Sequence, residues 1–178
     1  MGENAGSYIS LAERPRFRRQ ALKVWGIAVA LVAVWVLAII LPPLLSANGS
    51  QHAATPFYKF FSFICHQMPN RSFHILEHQF AVCSRCFGVY FGLLAGLAGY
   101  PLIRKVDDIE PLPRIWLFAS MVPIAIDWSL GVFGIWENNH ASRFITGLIL
   151  GFACAVYIVT ALVEIVRNFS SKTASNIH

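Results

Sequence analysis

Four long apolar runs constrain this chain more than any other feature of its sequence. The first, Lys23–Leu45, has an uninterrupted apolar core from Ala28 to Leu41. At 1.5 Å of rise per helical residue such a run crosses a hydrocarbon layer roughly 30 Å thick. The second opens at Cys83 and continues from Phe87 to Ile103, the third is Ile115–Phe133, and the fourth is Phe144–Val166. Only 13% of the 178 residues are charged and 56% are hydrophobic. A soluble domain carries about 25% charged residues, so too little polar surface remains to coat a globule in water. The sequence therefore predicts an all-α integral membrane protein, a four-helix bundle in a lipid bilayer. One domain is expected over residues 23–166, with spans at 23–45, 83–103, 115–133 and 144–166. A basic tail precedes it (1–22) and a second tail follows (167–178).

The first run has a competing reading as a cleaved signal peptide, because Arg18, Arg19 and Lys23 precede it. Signal h-regions are about 7–15 residues, and this run is longer, so an uncleaved anchor is expected. Pro42 and Pro43 are expected to stop its helix. The net charge of +5 does not form a basic face. The basic residues sit beside the apolar runs as topology signals, which argues against a nucleic-acid partner. With the N-terminus inside, ten cytoplasmic basic residues (Arg14, Arg16, Arg18, Arg19, Lys23, Arg104, Lys105, Arg114, Arg167 and Lys172) face four on the other side (Lys59, Arg71, Arg85 and Arg143). This bias predicts a cell-membrane (inner or cytoplasmic membrane) protein with both termini cytoplasmic and the connection 46–82 outside. Gly88, Gly92 and Gly96 recur every four residues, as do Gly147 and Gly151. Such faces let helix backbones approach closely in lipid.

The outer connection predicts a short interfacial or re-entrant helix. Thr55-Pro56 reads as its start, Phe57, Phe60, Phe61, Ile64 and Met68 follow helical spacing, and Pro69 ends it. At its end stands Cys65-His66-Gln67, and seventeen residues after His66 comes Cys83-Ser84-Arg85-Cys86. Three sulfurs and one imidazole thus fall on the outer side, while Cys154 lies inside the fourth span as a small apolar residue.

Three chemistries use such a set. Zinc takes four N/S ligands in a tetrahedron, and a CxxC supplies two from one turn; Cys65, His66, Cys83 and Cys86 are then the candidate ligands. An oxidising compartment instead allows a disulfide, catalytic or structural. At a helix start beside Arg85 a thiolate is stabilised, the setting of a reactive cysteine. Third, Cys65 can pair with one CxxC thiol and leave the other free for exchange. A further literal motif, His74-Ile75-Leu76-Glu77-His78, matches the H-x-x-E-H of some zinc peptidases. It needs a helix and a downstream acid, for which only Glu137 and Glu164 are at hand. His78 is also a replacement ligand for the cysteine cluster.

Asp127 lies about 18 Å along the third helix at 1.5 Å per residue, in the outer half of the hydrocarbon. A charge there costs on the order of 2.5–3.5 kcal/mol and needs a partner; Arg143 or Arg85 is expected to supply it, beneath the cysteines. Asn139, in the short turn before Arg143, belongs to the same expected polar pocket.

These residues carry a resemblance. Cys65-His66-Gln67-Met68-Pro69-Asn70-Arg71-Ser72, then Cys83-Ser84-Arg85-Cys86-Phe87-Gly88-Val89-Tyr90-Phe91-Gly92, then Asp127, then Asn139, Arg143, Thr146 and Gly147 resemble the signature of a bacterial and archaeal membrane family catalogued as domain of unknown function 2085. The resemblance covers about residues 60–151 and implies a multi-pass membrane protein. It implies no reaction. Three functions stay open at this level: a membrane metal protein holding zinc; a thiol–disulfide oxidoreductase coupled to a membrane quinone, in which Cys83 and Cys86 cycle, Arg85 stabilises a thiolate and Cys65 relays; and a non-enzymatic membrane subunit or small-solute transporter with a structural disulfide.

Overall fold

The structure is a computed structural model and describes residues 14–106, 112–135 and 138–175. Five helices and one small hairpin follow in order: α1 (Arg14–Ala47), α2 (Gln51–Ser62), a 3-10 turn at Pro69–Arg71, β1 (His74–Ile75), β2 (His78–Gln79), α3 (Ser84–Ile103), α4 (Ile115–Val132) and α5 (His140–Ser175). Four of them, all but α2, are long and apolar enough to cross a membrane. The expected all-α membrane bundle with one short helix in its first connection is the observed architecture.

Helix α1 does not stop at Pro42. It continues through both prolines to Ala47, and both rings are fully buried. A proline inside a helix leaves the carbonyl four residues earlier without its N–H donor. For Pro43 that carbonyl belongs to Ile39, and it accepts instead the N–H of Ala81 from the first connection, at 3.4 Å. The prolines thus turn a lost helical bond into an anchor for the segment that carries the cysteines.

The short helix also departs from its expected start. It begins at Gln51, with Thr55 and Pro56 inside it, and ends at Ser62 rather than near Pro69. Gly49, at φ +77°, reverses the chain after α1. The N–H groups of Ala53 and Ala54 then bond to the Ser50 carbonyl, so the first turn closes before Thr55. Thr55 is no cap: its hydroxyl donates back to the Gln51 carbonyl at 2.8 Å.

Helices α3 and α5 run parallel and form the closest seam in the fold. A Cβ added at Gly88 would collide with the Phe144 carbonyl, at Gly92 with Leu148, and at Gly96 it would lie 2.6 Å from the Ala155 Cβ. From the other side, Gly147 faces the Arg85 carbonyl and Gly151 the Val89 carbonyl. The two small-residue faces therefore interlock, and neither tolerates a side chain. Trp25 of α1 donates from Nε1 to the Leu97 carbonyl at 2.8 Å, tying α1 to this pair. Leu97, Tyr100, Val159 and Val163 form the buried core toward the far end.

Helix α5 begins at His140, a turn earlier than expected, and runs on through the expected tail to Ser175. Asn139 explains the start. Its side-chain oxygen accepts the Ser142 N–H at 2.7 Å, an N-cap bond that satisfies a free donor of the first turn. Helix α4 is the least embraced span: only Ser120 and Asp127 are buried along it.

Candidate metal centre

The site is built where α3 and α5 begin, α1 and α4 end, and the first connection folds back over the bundle. Cys65 stays on the last turn after α2 because its N–H bonds to the Phe61 carbonyl at 2.9 Å. Gln67 then adopts φ +48°, a backbone region that costs most side chains energy, and turns the chain away. Its amide fixes that turn by donating 2.8 Å bonds to both the Tyr58 and Ala81 carbonyls. The segment returns through the hairpin, and Cys83 arrives as the N-cap of α3. Cys86 follows one turn down the helix.

The Sγ atoms of Cys65, Cys83 and Cys86 all lie within 4.8 Å of one another. The thiols of all four cysteines are free, and the Cys83 N–H donates to Cys65 Sγ at 3.2 Å. Hydrogen bonds from the Cys83 thiol, then the Cys86 thiol, and from the Cys83 backbone hold Cys65 well below the usual thiol range, against the opposing effect of burial. A thiolate is the form that binds metal. Ile39, Phe61, Phe80 and Val82 are buried against the cluster, with Trp35, Phe87 and Tyr90 packed around them. This apolar shell limits water at the sulfurs.

The four expected ligands are not all brought together. His66 is exposed and lies outside the three-sulfur group. Neighbouring side chains on a turn diverge, and here Cys65 points inward. Cys154 sits in α5, away from the cluster. His78 lies on β2 and is not part of the sulfur group.

The His74–His78 motif has no helix. It is a two-residue hairpin in which His74 pairs with Gln79 and Ile75 with His78. Leu76 and Glu77 make the turn at φ +50° and +69°. The i, i+4 geometry that a helical zinc peptidase needs is therefore missing, and Glu137 lies outside the described residues. The peptidase reading is corrected by the hairpin.

Beside the cysteines lies a polar layer. Arg85, between Cys83 and Cys86 in sequence, donates from Nη2 to Asp127 Oδ2 on α4. Asn138 Nδ2 donates to the same oxygen at 2.9 Å and to the Asp127 backbone carbonyl at 2.6 Å. The carboxylate is buried and the guanidinium partly so. Arg143 stands close enough to be acted on by Arg71, Arg85, Asp127 and Cys83. Asn139, expected in this pocket, caps α5 instead and is exposed; its neighbour Asn138 makes the pocket contact.

Sequence reasoning left out four residues that shape the site: Gln67, Ser84, Asn138 and His140. Gln67 clamps the turn, and Ser84, fully buried, shares a 2.9 Å hydrogen bond with His140 Nδ1. That bond pins the start of α3 to the start of α5. Gln67 was visible within the Cys-His-Gln signature, but nothing in its spacing announced a clamp. Asn138 and His140 carried no signal beyond a polar turn.

Fold and site together define a four-helix membrane protein with a half-buried three-cysteine cluster beside an arginine–aspartate pair. The family described as "Predicted membrane protein (DUF2085)" matches residues 65–157, and the chain belongs to it. An uncharacterized protein of Methanocaldococcus jannaschii is 40% identical over 139 residues, covering 75% of this chain and 88% of the relative. An uncharacterized protein of Methanothermobacter thermautotrophicus is 36% identical over 98 residues, covering 54% of this chain and 85% of the relative. No solved structure matches.

Proposed function

We propose that this protein is a membrane metal-binding protein whose first connection and third helix hold one soft divalent ion, zinc foremost, through Cys65, Cys83 and Cys86. The observation that carries the reading is the convergence of three free thiols within 4.8 Å of one another. Two sulfurs each about 2.3 Å from a shared zinc sit roughly 3.8 Å apart, which fits that spacing. The odd number of sulfurs also favours a metal. Any one disulfide leaves the third thiol unpaired, whereas an ion uses all three. Three thiolates around a divalent ion carry a net negative charge, and Arg85 and Arg143 lie beside them. With His66 turned outward, a fourth coordination position is left to water or an incoming ligand.

The excess of Lys and Arg at the opposite end supports placing this site on the non-cytoplasmic side of the cell membrane, with both termini cytoplasmic. In an oxidising compartment close thiols pair unless something holds them reduced; the bound ion is that agent in this reading.

Metal analysis of the detergent-purified protein, with thiols counted after denaturation with and without reductant, tests it. The expected result is one zinc per chain and four titratable thiols without reductant. Cys65→Ser, Cys83→Ser and Cys86→Ser each lose the zinc, and Cys154→Ser keeps it. A reducible bond between two of the three thiols, with no metal, contradicts the reading and moves the site to thiol–disulfide exchange with a membrane quinone as electron acceptor.

A further inference from the structure

The first connection holds a second set of ligating side chains, separate from the sulfurs. A cavity of about 470 Å³ lies between the end of α1, the start of α2 and the hairpin. His74, Glu77 and His78 all line it, together with Tyr58, Gln67 and Gln79. The hairpin denies these histidines the helical peptidase geometry, yet it brings both of them and the glutamate to one space. Leu76 and Glu77 make that turn in the left-handed region. Residues other than glycine enter it at a cost, and such strain clusters where ligands are clamped.

The chemistry of the cavity follows from where its donors go. The Tyr58 hydroxyl donates to the Gln79 carbonyl at 2.6 Å. The Gln67 amide spends its N–H groups on the Tyr58 and Ala81 carbonyls, and the Gln79 amide donates to the Gln67 carbonyl at 3.4 Å. What these residues leave to the cavity is acceptors: oxygen lone pairs, the Glu77 carboxylate and the imidazole nitrogens. A space lined by acceptors suits a cation. Imidazole with carboxylate selects a divalent transition ion over calcium or magnesium, which favour oxygen alone. The three ligands do not close as the sulfurs do, because their ligand atoms are not all within 4.8 Å of one another. An ion held here keeps part of its water shell.

We propose that this cavity is a second, weaker metal site, which takes a partly hydrated zinc or similar divalent transition ion through His74, Glu77 and His78. It empties in metal-free buffer and adds nothing to the zinc content of the purified protein. Gln67 is common to both sites: it lines the cavity, stands two residues after Cys65 and grips Ala81, two residues before Cys83. The proposal does not rest on the metal reading of the sulfurs.

Equilibrium dialysis of the full chain in neutral detergent against micromolar zinc chloride, with bound zinc counted per chain, tests it. The wild-type protein is expected to bind one zinc more than the His74→Ala/His78→Ala variant. His74→Ala and Glu77→Gln, both at exposed positions, are each expected to weaken that zinc by about tenfold, the lower range for groups that support a bound metal. Their unfolding midpoints in detergent are expected to stay those of wild type. Calcium chloride at the same concentration is expected to leave no ion bound there. Counting the difference between variants removes whatever the cysteines bind. A disulfide at the sulfurs therefore leaves the expected difference intact and fails only their reading as a metal centre. Equal zinc binding by wild type and the double variant overturns the proposal. A zinc that is lost in the double variant but unaffected by both single substitutions overturns it as well. Calcium bound as well as zinc also overturns it, since the site would then be one of oxygen ligands alone.

Discussion

Helices α3 and α4 have nearly equal hydropathy and length, yet they are held in the bundle by different means. Across their apolar windows, 28% of α3 is buried but only 6% of α4. The difference lies in small residues. Gly88, Gly92 and Gly96 bring α3 into backbone contact with α5, where Gly147 and Gly151 receive it. No such ridge exists on α4, whose large residues Trp116, Phe118, Met121 and Ile126 face outward. Its buried grip is Asp127, held by Arg85 and Asn138. Lipid is as apolar as leucine, so hydropathy alone drives no helix association inside a membrane. Close packing holds α3, and a polar clasp holds α4. The cysteine site stands on the packed pair and borrows α4 only through its arginine.

The largest stability effect is expected from breaking the seam. Gly151→Leu drives a side chain into the Val89 carbonyl and is expected to cost about 3 kcal/mol, the upper end for overpacking, read as a lower detergent-unfolding midpoint. Asp127→Ala attacks the clasp instead. It strands Arg85 in a partly buried site, and about 2 kcal/mol is expected, below the 3–5 kcal/mol of a fully buried pair because Arg85 keeps 24% of its surface exposed. If Asp127→Ala proves the costlier of the two, the contrast between packed and clasped helices is reversed. Asn139→Ala removes only the cap of α5 and is expected to cost about 1 kcal/mol. The smallest change is a gain. Replacing Leu76-Glu77 with Asn-Gly relieves two left-handed residues at the hairpin turn and is expected to stabilise by about 0.5 kcal/mol. Full retention of zinc in that variant would show that the hairpin's strain plays no part in presenting the cysteines.

The spans were legible because apolar length is written directly in composition. The ends of the helices were not. Pro42 and Pro43 look like a stop signal, and only the distant Ala81 N–H, which occupies the carbonyl freed by Pro43, shows why the helix continues. Asn139 reads as a pocket residue from its neighbourhood with Arg143; its role as a cap depends on a bond three residues ahead. The hairpin at 74–79 carried no Asn-Gly or Asp-Gly signal, so its histidines could be fitted to a helical motif by spacing alone. At the site, the CxxC and the isolated Cys65 were visible as chemistry. The exclusion of His66 from the sulfur group was not, because adjacent side chains on a turn diverge and Cys65 is the one turned inward.

The most direct measurement of the metal site is X-ray absorption at the zinc edge of the purified protein. A site built from Cys65, Cys83 and Cys86 predicts three sulfur scatterers at about 2.3 Å and one lighter N/O neighbour at about 2.0–2.2 Å, with no imidazole signature, unchanged in His66→Ala. An imidazole contribution that vanishes in His66→Ala, or fewer than three sulfurs around the ion, would contradict the three-cysteine site.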